Sequence, residues 1–352
     1  MKLNPKYYEL FKELQSNTSN TSNTSTLNKN SNVLIVDGMN TFIRCWSVVP
    51  NLNDNGEHIG GVIGFLKSIG YAIRELNPTR VVIVFDGKHS SRSRKKVYSE
   101  YKSNRGKNKL RVNRGIYEQL NDEDEQESKR RQIILLAEML LSLPVTVMLY
   151  DAVEADDVMA YVSNRMCDEK SIIMSSDNDF LQLVGDDCMV WSPTKSKLYT
   201  KELVFSEYGI PTHNFLTYRI LDGDKSDNIA GIQGAGLKSI IKRFPAIISD
   251  DTITVDEIVS HAENKKGKIK LYDTVLDNVD ILERNYKLMQ LSDVDVNGQL
   301  KLQIQSRFRE DITELNKSEF IGFLNREKIS NGFADPIGWL NSTFGTLDYY
   351  RK

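Results

Sequence analysis

The chain has 352 residues, of which 40% are hydrophobic and 27% are charged. This balance predicts a globular protein with a buried core, and it excludes the disordered and membrane-spanning classes because no apolar run is long enough to cross a bilayer. The formal net charge of −2 neither favours nor excludes a nucleic-acid partner, so the distribution of charge along the chain has to decide.

Cysteine usage and the N-terminus bear on where the protein works. Cys45, Cys167 and Cys188 are widely spaced and form no CxxC pair, which excludes a disulfide framework and does not indicate zinc. The first residues lack the apolar core of a signal peptide. We therefore expect a cytoplasmic protein.

The first 32 residues are expected to form a flexible extension. Residues 16–26 repeat Asn, Thr and Ser with nothing to bury, behind a short amphipathic piece at residues 7–14. No role is assigned to this extension.

After the extension, apolar strands alternate with helical stretches. The strands are predicted at residues 33–36, 81–85, 145–149 and 171–174, and helices at 61–76 and 131–143. Continuous apolar strands with this alternation predict an α/β parallel sheet covered on both faces, over residues 33–222. Beyond residue 223 short helical segments dominate, so residues 223–352 are expected to form a smaller helical region.

Acidic residues follow each of the four strands directly. Because the carboxyl ends of parallel strands meet at one crevice, we expect these acids to come together, with a further pair at the start of the helical region. The expected members are Asp37, Asp86, Glu154, Asp156, Asp157, Asp177, Asp179, Asp224 and Asp227. Taken singly, an Asp-Gly turn or an acidic first helical turn needs no functional explanation. Four strand ends carrying acids in order favour a functional site.

So many carboxylates cannot stay ionised together without a cation among them. Oxygen ligands with no His or Cys nearby predict Mg²⁺, with Mn²⁺ as a substitute. Two such ions would suit phosphodiester hydrolysis, because one activates water while both stabilise the attacking and leaving oxygens.

Two further segments are candidates for nucleic-acid binding. Residues 88–114 hold eleven basic residues, Lys95 and Lys96 among them, and one acid, Glu100, which would make an electrostatic funnel. Its few apolar residues predict mobility. Gly231, Gly234, Gly236 and Lys238 form a glycine turn before a helix at 237–244, suited to gripping a duplex backbone. The turn lacks the Walker spacing and the third glycine of the dinucleotide fingerprint.

Together these residues resemble the 5′ nuclease or flap endonuclease family, and within it the ribonuclease H group of T4-like phages. The resemblance covers roughly residues 33–244. It is carried by Asp37-Gly-Met-Asn40, Phe85-Asp-Gly87, Tyr101-Lys-Ser-Asn-Arg-Gly-Lys107, Glu154-Ala-Asp-Asp157, Ser175-Ser-Asp-Asn-Asp-Phe180 and Gly223-Asp-Lys-Ser-Asp-Asn228. It implies a PIN-like core, a helical arch at about residues 87–130, and a helix–three-turn–helix module with K⁺ at its turn.

The resemblance also implies roles for single residues. Asp37, Asp86, Glu154, Asp156 and Asp177 match ligands of the first metal, and Asp157, Asp179, Asp224 and Asp227 those around the second. Arg44 would contact the scissile phosphate. Lys102 would offset transition-state charge, with Arg105 beside it and Tyr101 stacking on a base.

The sequence therefore predicts a structure-specific 5′ nuclease that removes RNA primers or flaps in replication, in the cytoplasm of a phage-infected cell. Its expected partners are DNA with 5′ flaps or ends, RNA–DNA hybrids, and a single-strand binding protein or sliding clamp. Three alternatives stay open: an RNA-cutting PIN-domain nuclease, a catalytically silent branched-DNA-binding protein, and a nucleotide-binding Rossmann enzyme.

Overall fold

The computed structural model describes residues 29–106, 122–294 and 296–351. Residues 1–28 of the extension predicted over residues 1–32 lie outside the described residues, as do residues 107–121 in the middle of the predicted arch. The predicted flexibility of the extension and mobility of the arch therefore stay predictions.

A six-stranded sheet forms the centre of the molecule. Its strands are β1 (Asn32–Asp37), β2 (Arg80–Asp86), β3 (Thr146–Tyr150), β4 (Lys170–Met174), β5 (Cys188–Ser192) and β6 (Lys197–Tyr199). They lie in the order β3-β2-β1-β4-β5-β6, and every pairing is parallel except β5 with β6. The predicted parallel sheet is confirmed. The sequence pattern did not reveal β5 and β6, because β5 holds a single β-branched residue and β6 has only three residues.

Among the described residues of this part, seven α-helices flank the strands. They are α1 (Gly38–Val48), α2 (Gly60–Leu76), α3 (Arg92–Val97), α4 (Asp122–Leu140), α5 (Ala155–Arg165), α6 (Lys201–Tyr208) and α7 (Phe215–Asp222). Helix α2 matches its prediction within one residue. Helix α4 begins nine residues before the predicted start at 131, because its first turns hold the acidic run that favours a helix N-terminus.

The chain after residue 222 is mainly helical, as predicted. A short antiparallel ribbon, β7 (Gly223–Asp224) with β8 (Ile229–Ala230), comes first. It is followed by α8 (Leu237–Arg243), α9 (Val255–Glu263), α10 (Lys270–Leu276), α11 (Val279–Met289), α12 (Gly298–Arg309), α13 (Lys317–Arg326) and α14 (Pro336–Tyr350). Among the described residues no helix is long and apolar enough to cross a membrane.

Two apolar layers cover the sheet. Val33 and Ile35 of β1 face a layer that extends through the helical region to Phe308 of α12. Leu34 and Val36 face the other layer, which contains Phe65 of α2 and also Phe320 and Phe344 from the last two helices. Strands buried on both faces explain why their sequences are apolar throughout rather than alternating. The division at residue 222/223 remains a prediction, and the last two helices share the core of the sheet.

Candidate active site

Asp37 lies at the carboxyl end of β1, where the strand turns directly into α1. Its carboxylate accepts the Asn40 N–H at 2.9 Å as the cap of α1, and accepts the Ser175 hydroxyl at 3.0 Å from the end of β4. Two neighbouring parallel strands therefore meet at this buried carboxylate, as expected for a crevice at the carboxyl edge of the sheet.

The carboxylates after β2 and β3 lie next to it. Asp86 ends β2 and accepts the Ala155 N–H at 3.1 Å, which joins it to the start of α5. Glu154 precedes α5 and is only 2% exposed, whereas Asp156 and Asp157 in the first turn are half-buried. The ends of β1 and β2 and the start of α5 thus bring five of the predicted metal ligands together.

A second group forms where β4 and the β7–β8 ribbon approach each other. One carboxylate oxygen from each of Asp177, Asp179 and Asp224 lies within 4.8 Å of the other two. The Asp179 N–H donates to the Asp177 carboxylate at 2.8 Å, which fixes their relative position. Asp227, at the other end of the turn between β7 and β8, completes the predicted set of nine carboxylates.

Burial and mutual repulsion make this crevice unfavourable for negative charge. Burial, followed by the neighbouring carboxylates, raises the pKa of Asp177 to about 8, and burial raises that of Asp37 to about 6. Burial likewise raises the pKa of Asp156 and Asp179, with repulsion from other acids of the set adding to it. The nine carboxylates can therefore be ionised together only if positive charge is placed among them.

Lys102 supplies part of that charge. Its ammonium lies 2.9 Å from both carboxylate oxygens of Glu154 and 3.7 Å from the nearer carboxylate oxygen of Asp227. Burial acts to raise the pKa of Glu154, but Arg94 and Lys102 outweigh it and hold that pKa below its ordinary range. The predicted candidate Lys102 therefore lies in the crevice.

Arg94 is a second cation in the crevice, and its role was not predicted from the sequence. Its guanidinium donates to both carboxylate oxygens of Asp157, at 2.7 and 2.9 Å, and to Glu154 at 2.8 Å. Its Nε–H donates to the Leu288 carbonyl of α11. Nothing in the sequence distinguishes Arg94 from the other basic residues of its run; in the structure its side chain is only 11% exposed.

Arg219 is a third cation and was also not predicted. It donates to Asp179 at 2.8 Å and to Asp224 at 2.7 Å, and so bridges two members of the second group. The available signal was its place in α7, five residues before Asp224, where it is the one basic residue between Leu216 and Asp224. Arg94 and Arg219 together pair with four of the nine carboxylates.

The stacking role predicted for Tyr101 is wrong for this structure. The ring is 2% exposed and packs with Ile229, Leu288 and Met289. Its hydroxyl donates to Glu154 at 2.9 Å or to Asp227 at 3.1 Å. A ring buried in this way cannot offer a face to a base, and Tyr101 instead joins the two groups of acids.

The remaining predicted catalytic and basic residues have varied positions. Arg44, on α1, donates to the Ser68 hydroxyl of α2 at 3.0 Å, and its Nε has no hydrogen-bond partner within the described ranges. Lys95 and Lys96 are exposed on α3. Arg105 lies in the helical turn Ser103–Gly106, and its side chain is outside what the structure describes. Their roles stay predictions.

The glycine turn has two kinds of glycine. A Cβ on Gly231 would lie 2.2 Å from the Asp222 carbonyl, so Gly231 is required by backbone packing rather than by a ligand. Gly234 has φ +88° and Gly236 faces open space. Lys238 is exposed one residue into α8. Gly234, Gly236 and Lys238 are therefore accessible to a partner, whereas Gly231 is not supported as a contact.

A lysine segment, residues 265–270, lies beside this turn. Leu271, directly after it, is 4.0 Å from the position of a Cβ on Gly234, and the Tyr272 hydroxyl donates to the Arg243 carbonyl at the end of α8. Lys266, Lys268 and Lys270 are exposed. The turn and the segment therefore belong to one cationic surface.

The chain is similar to known proteins. A family model described as "5'-3' exonuclease, N-terminal resolvase-like domain" matches residues 32–209. A 5'-3' exonuclease of Aquifex aeolicus is 29% identical over 268 residues, covering 74% of this chain and 82% of that protein. The thermostable DNA polymerase I of Thermus thermophilus is 30% identical over 243 residues, covering 68% of this chain and 27% of that protein.

The fold is also shared with a solved structure. A flap endonuclease of bacteriophage T5, crystallised as a variant in a complex with DNA and metal ions, superposes with a TM-score of 0.58 at 20% identity. The match covers 84% of this chain and 99% of that chain. The PIN-like architecture expected from the sequence is therefore confirmed.

Proposed function

This chain belongs to the 5′-3′ exonuclease family, and on that premise we propose that it is a structure-specific 5′ nuclease acting on DNA with 5′ ends or flaps. One observation carries the proposal. The carboxyl edge of the sheet and the β7–β8 ribbon gather nine carboxylates in one crevice, with the Lys102 ammonium among them. Hydrolysis of a phosphodiester needs this combination of anionic metal ligands and a cation aimed at developing charge.

The residues present fit divalent metal ions. The donors are carboxylate oxygens, the ligands that Mg²⁺ and Mn²⁺ prefer, and the raised pKa values of Asp37 and Asp177 indicate where positive charge is needed. When bound, two such ions supply Lewis-acid activation of water and stabilise charge on the attacking and leaving oxygens. We assign Asp37, Asp86, Glu154, Asp156 and Asp177 to the first ion, and Asp157, Asp179, Asp224 and Asp227 to the second.

The cationic side chains have separate tasks in this proposal. Lys102, whose ammonium lies 2.9 Å from Glu154, would stabilise the charge that develops on the non-bridging oxygens of the scissile phosphate. Arg44 contacts the same phosphate from α1. Arg94 and Arg219 hold Asp157, Asp179 and Asp224 in place, since a bidentate or bridging guanidinium fixes carboxylate orientation.

Basic residues and the glycine turn would guide the approach of a nucleic acid. Lys95 and Lys96 on α3, and Arg105 in the following turn, would track the 5′ strand close to the crevice. Gly234, Gly236 and Lys238 would grip the duplex, with K⁺ at this turn. The similarity to a DNA polymerase I supports a role in primer and flap removal during replication. RNA–DNA hybrids are then substrates, and a single-strand binding protein or sliding clamp is a partner.

The test is cleavage of a 5′-labelled flap duplex and of a blunt duplex with a 5′ RNA segment, with Mg²⁺ and with EDTA. We expect metal-dependent cleavage near the junction. Asp179→Asn and Lys102→Ala should each lower the single-turnover rate by about 10² or more, because a metal ligand or an electrostatic stabiliser is removed. Lys317→Ala, at an exposed lysine of α13, is the control and should leave the rate unchanged.

Two results would oppose the proposal. Tight flap binding without cleavage in Mg²⁺ or Mn²⁺ would indicate a catalytically silent structure-binding protein. Equal cleavage of single-stranded RNA and of the flap duplex would indicate an RNA-cutting PIN-domain nuclease instead.

A further inference from the structure

The segment that carries Lys102 and the turn that carries Asp224 and Asp227 are joined by hydrogen bonds. The first, residues 100–104, is called the Lys102 loop, and the second, residues 224–228, is called the ribbon turn. The Lys102 N–H donates to the Asp227 carbonyl at 2.8 Å. The Asn104 side-chain amide donates to the Lys225 carbonyl, also at 2.8 Å. Residues more than 120 positions apart are thus held together beside the candidate site.

Asn228 makes the other two bonds. Its side-chain Nδ2 donates to the Glu100 carbonyl at 2.9 Å and to the Ser103 hydroxyl at 3.0 Å. These two acceptors lie on either side of Lys102. The Asn228 amide therefore spans the backbone turn from which the Lys102 side chain leaves.

The backbone at both ends of this contact is in the left-handed region. Lys102 has φ +58° and Asn228 has φ +58°. Asn enters this region readily, whereas Lys rarely does, so Lys102 needs surrounding contacts that hold it there. A change of its φ to the ordinary negative range would redirect the side chain, and the ammonium would leave Glu154.

We propose that Asn228 is a positioning residue, whose side-chain amide holds Lys102 in the left-handed conformation and thereby places its ammonium among the metal-binding carboxylates. The role in the reaction rests on the proposed nuclease function. The Asn228 amide also fixes the distance between Lys102 and the ribbon turn. It thereby aligns the Lys102 ammonium with Asp224 and Asp227, which are assigned to the second metal ion.

The substitution Asn228→Gly separates this role from a backbone role. Glycine adopts a positive φ without steric cost, so the ribbon turn keeps its conformation while both hydrogen bonds of the Asn228 side chain are removed. If Asn228 were present only because it tolerates this backbone conformation, glycine would replace it without effect. Asn77→Gly is the matched control, because Asn77 is an exposed left-handed asparagine (φ 44°) that ends α2.

The first experiment measures single-turnover cleavage and substrate affinity for wild type, Asn228→Gly, Lys102→Ala and the double variant. We expect Asn228→Gly to lower the rate about tenfold with affinity within about twofold of wild type. In the Lys102→Ala background it should cause no further decrease, because the group that it positions is gone. An equal decrease in both backgrounds, or none in either, would overturn the proposal, and Asn77→Gly should match wild type.

The second experiment does not depend on cleavage. Lys102 is 14% exposed and paired with Glu154, so its amine should react slowly with an acetylating reagent in EDTA-treated protein. Asn228→Gly should raise the labelling rate at Lys102 severalfold, read by peptide mass spectrometry, with exposed Lys238 as the internal reference. Unchanged labelling at Lys102 would overturn the positioning role. Raised labelling in a protein that cleaves no flap would support that role and refute the nuclease function separately.

Discussion

Arg94 holds Asp157 through two hydrogen bonds of 2.7 and 2.9 Å, so a predicted metal ligand is already paired with a guanidinium. The same arginine reaches Glu154 and the Leu288 carbonyl of α11. It thereby connects the short helix α3 to both the sheet edge and the helical region. The consequences of this pairing can be measured.

Removing Arg94 should destabilise the protein more strongly without metal than with it. Arg94→Met leaves the carboxylates of Glu154 and Asp157 without their guanidinium partner, and breaking such a buried pair costs about 3 kcal/mol in the free energy of unfolding. A bound divalent ion would replace part of the missing charge. Urea unfolding in EDTA and in Mg²⁺ measures both values, with Lys95→Met on exposed α3 as the control. A decrease of equal size in both buffers would argue that Arg94 and the ion do not share these ligands.

The metal-free protein should become less stable as pH rises from about 4 to about 8. The folded-state pKa of Asp37 is raised to about 6 and that of Asp177 to about 8, mainly by burial, against about 3.9 in an unfolded chain. Over this window the folded protein keeps protons that the unfolded chain has released, so the free energy of unfolding falls with rising pH. The lowered pKa of Glu154 acts in the opposite direction, but only below about pH 4.3.

Thermal unfolding in EDTA at a series of pH values tests this. Mg²⁺ should restore stability most at the alkaline end, and Asp177→Asn should flatten the decline because one of the titrating groups is gone. A stability that rises steadily from about pH 5 to about pH 8 in EDTA would contradict the burial argument.

Two glycines of one turn should respond oppositely to alanine. In Gly231→Ala the new Cβ would lie 2.2 Å from the Asp222 carbonyl oxygen, so the backbone must shift and we expect the free energy of unfolding to fall by about 1–3 kcal/mol. In Gly236→Ala the Cβ meets open space at φ −75°, so stability should stay within about 1 kcal/mol of wild type. Chemical denaturation measures both. If Gly236 lies against a duplex backbone, its variant should also bind duplex more weakly, whereas full affinity would remove Gly236 from the interface.

The lysine segment should contribute salt-dependent duplex affinity. Lys266 and Lys268 are exposed beside the glycine turn. Removing a lysine that neutralises one phosphate should lower the slope of log affinity against log salt by about 0.9. Binding of a duplex by the Lys266→Ala/Lys268→Ala double variant, measured in EDTA from low to moderate salt, gives this slope. Lys317→Ala is the comparison, and identical slopes for wild type and both variants would place the duplex elsewhere.

Local sequence patterns were sufficient for the first four strands of the sheet and for the acids at its edge. Asp37 and Asp86 could be placed because each directly follows an apolar strand, and strand ends of a parallel sheet converge whatever lies between them. Helix α4 was predicted to begin only at residue 131, but it begins at Asp122, since the acidic run in its first turns interacts favourably with the helix N-terminus. Strand β5 carried too weak a pattern to be recognised.

The roles of Tyr101 and Gly231 were beyond local patterns. An aromatic residue in a basic run is compatible with stacking on a base, but Tyr101 is covered by Leu288 and Met289 from a distant part of the chain. Gly231 looks like its neighbours Gly234 and Gly236 in sequence. Only the approach of the Asp222 carbonyl distinguishes it.

The sequence by itself thus determined a parallel α/β core and its acidic edge, because apolar strands and the acids that follow them are short-range features. Lys102 was singled out only by the family resemblance of the motif at residues 101–107. The tertiary structure alone decided that Arg94 and Arg219 neutralise part of the acidic set. It also decided that the Asn228 side-chain amide donates hydrogen bonds to the Glu100 carbonyl on one side of Lys102 and to the Ser103 hydroxyl on the other. Ion pairs and side-chain hydrogen bonds depend on distances between atoms that lie far apart along the chain. No spacing in the sequence records such distances.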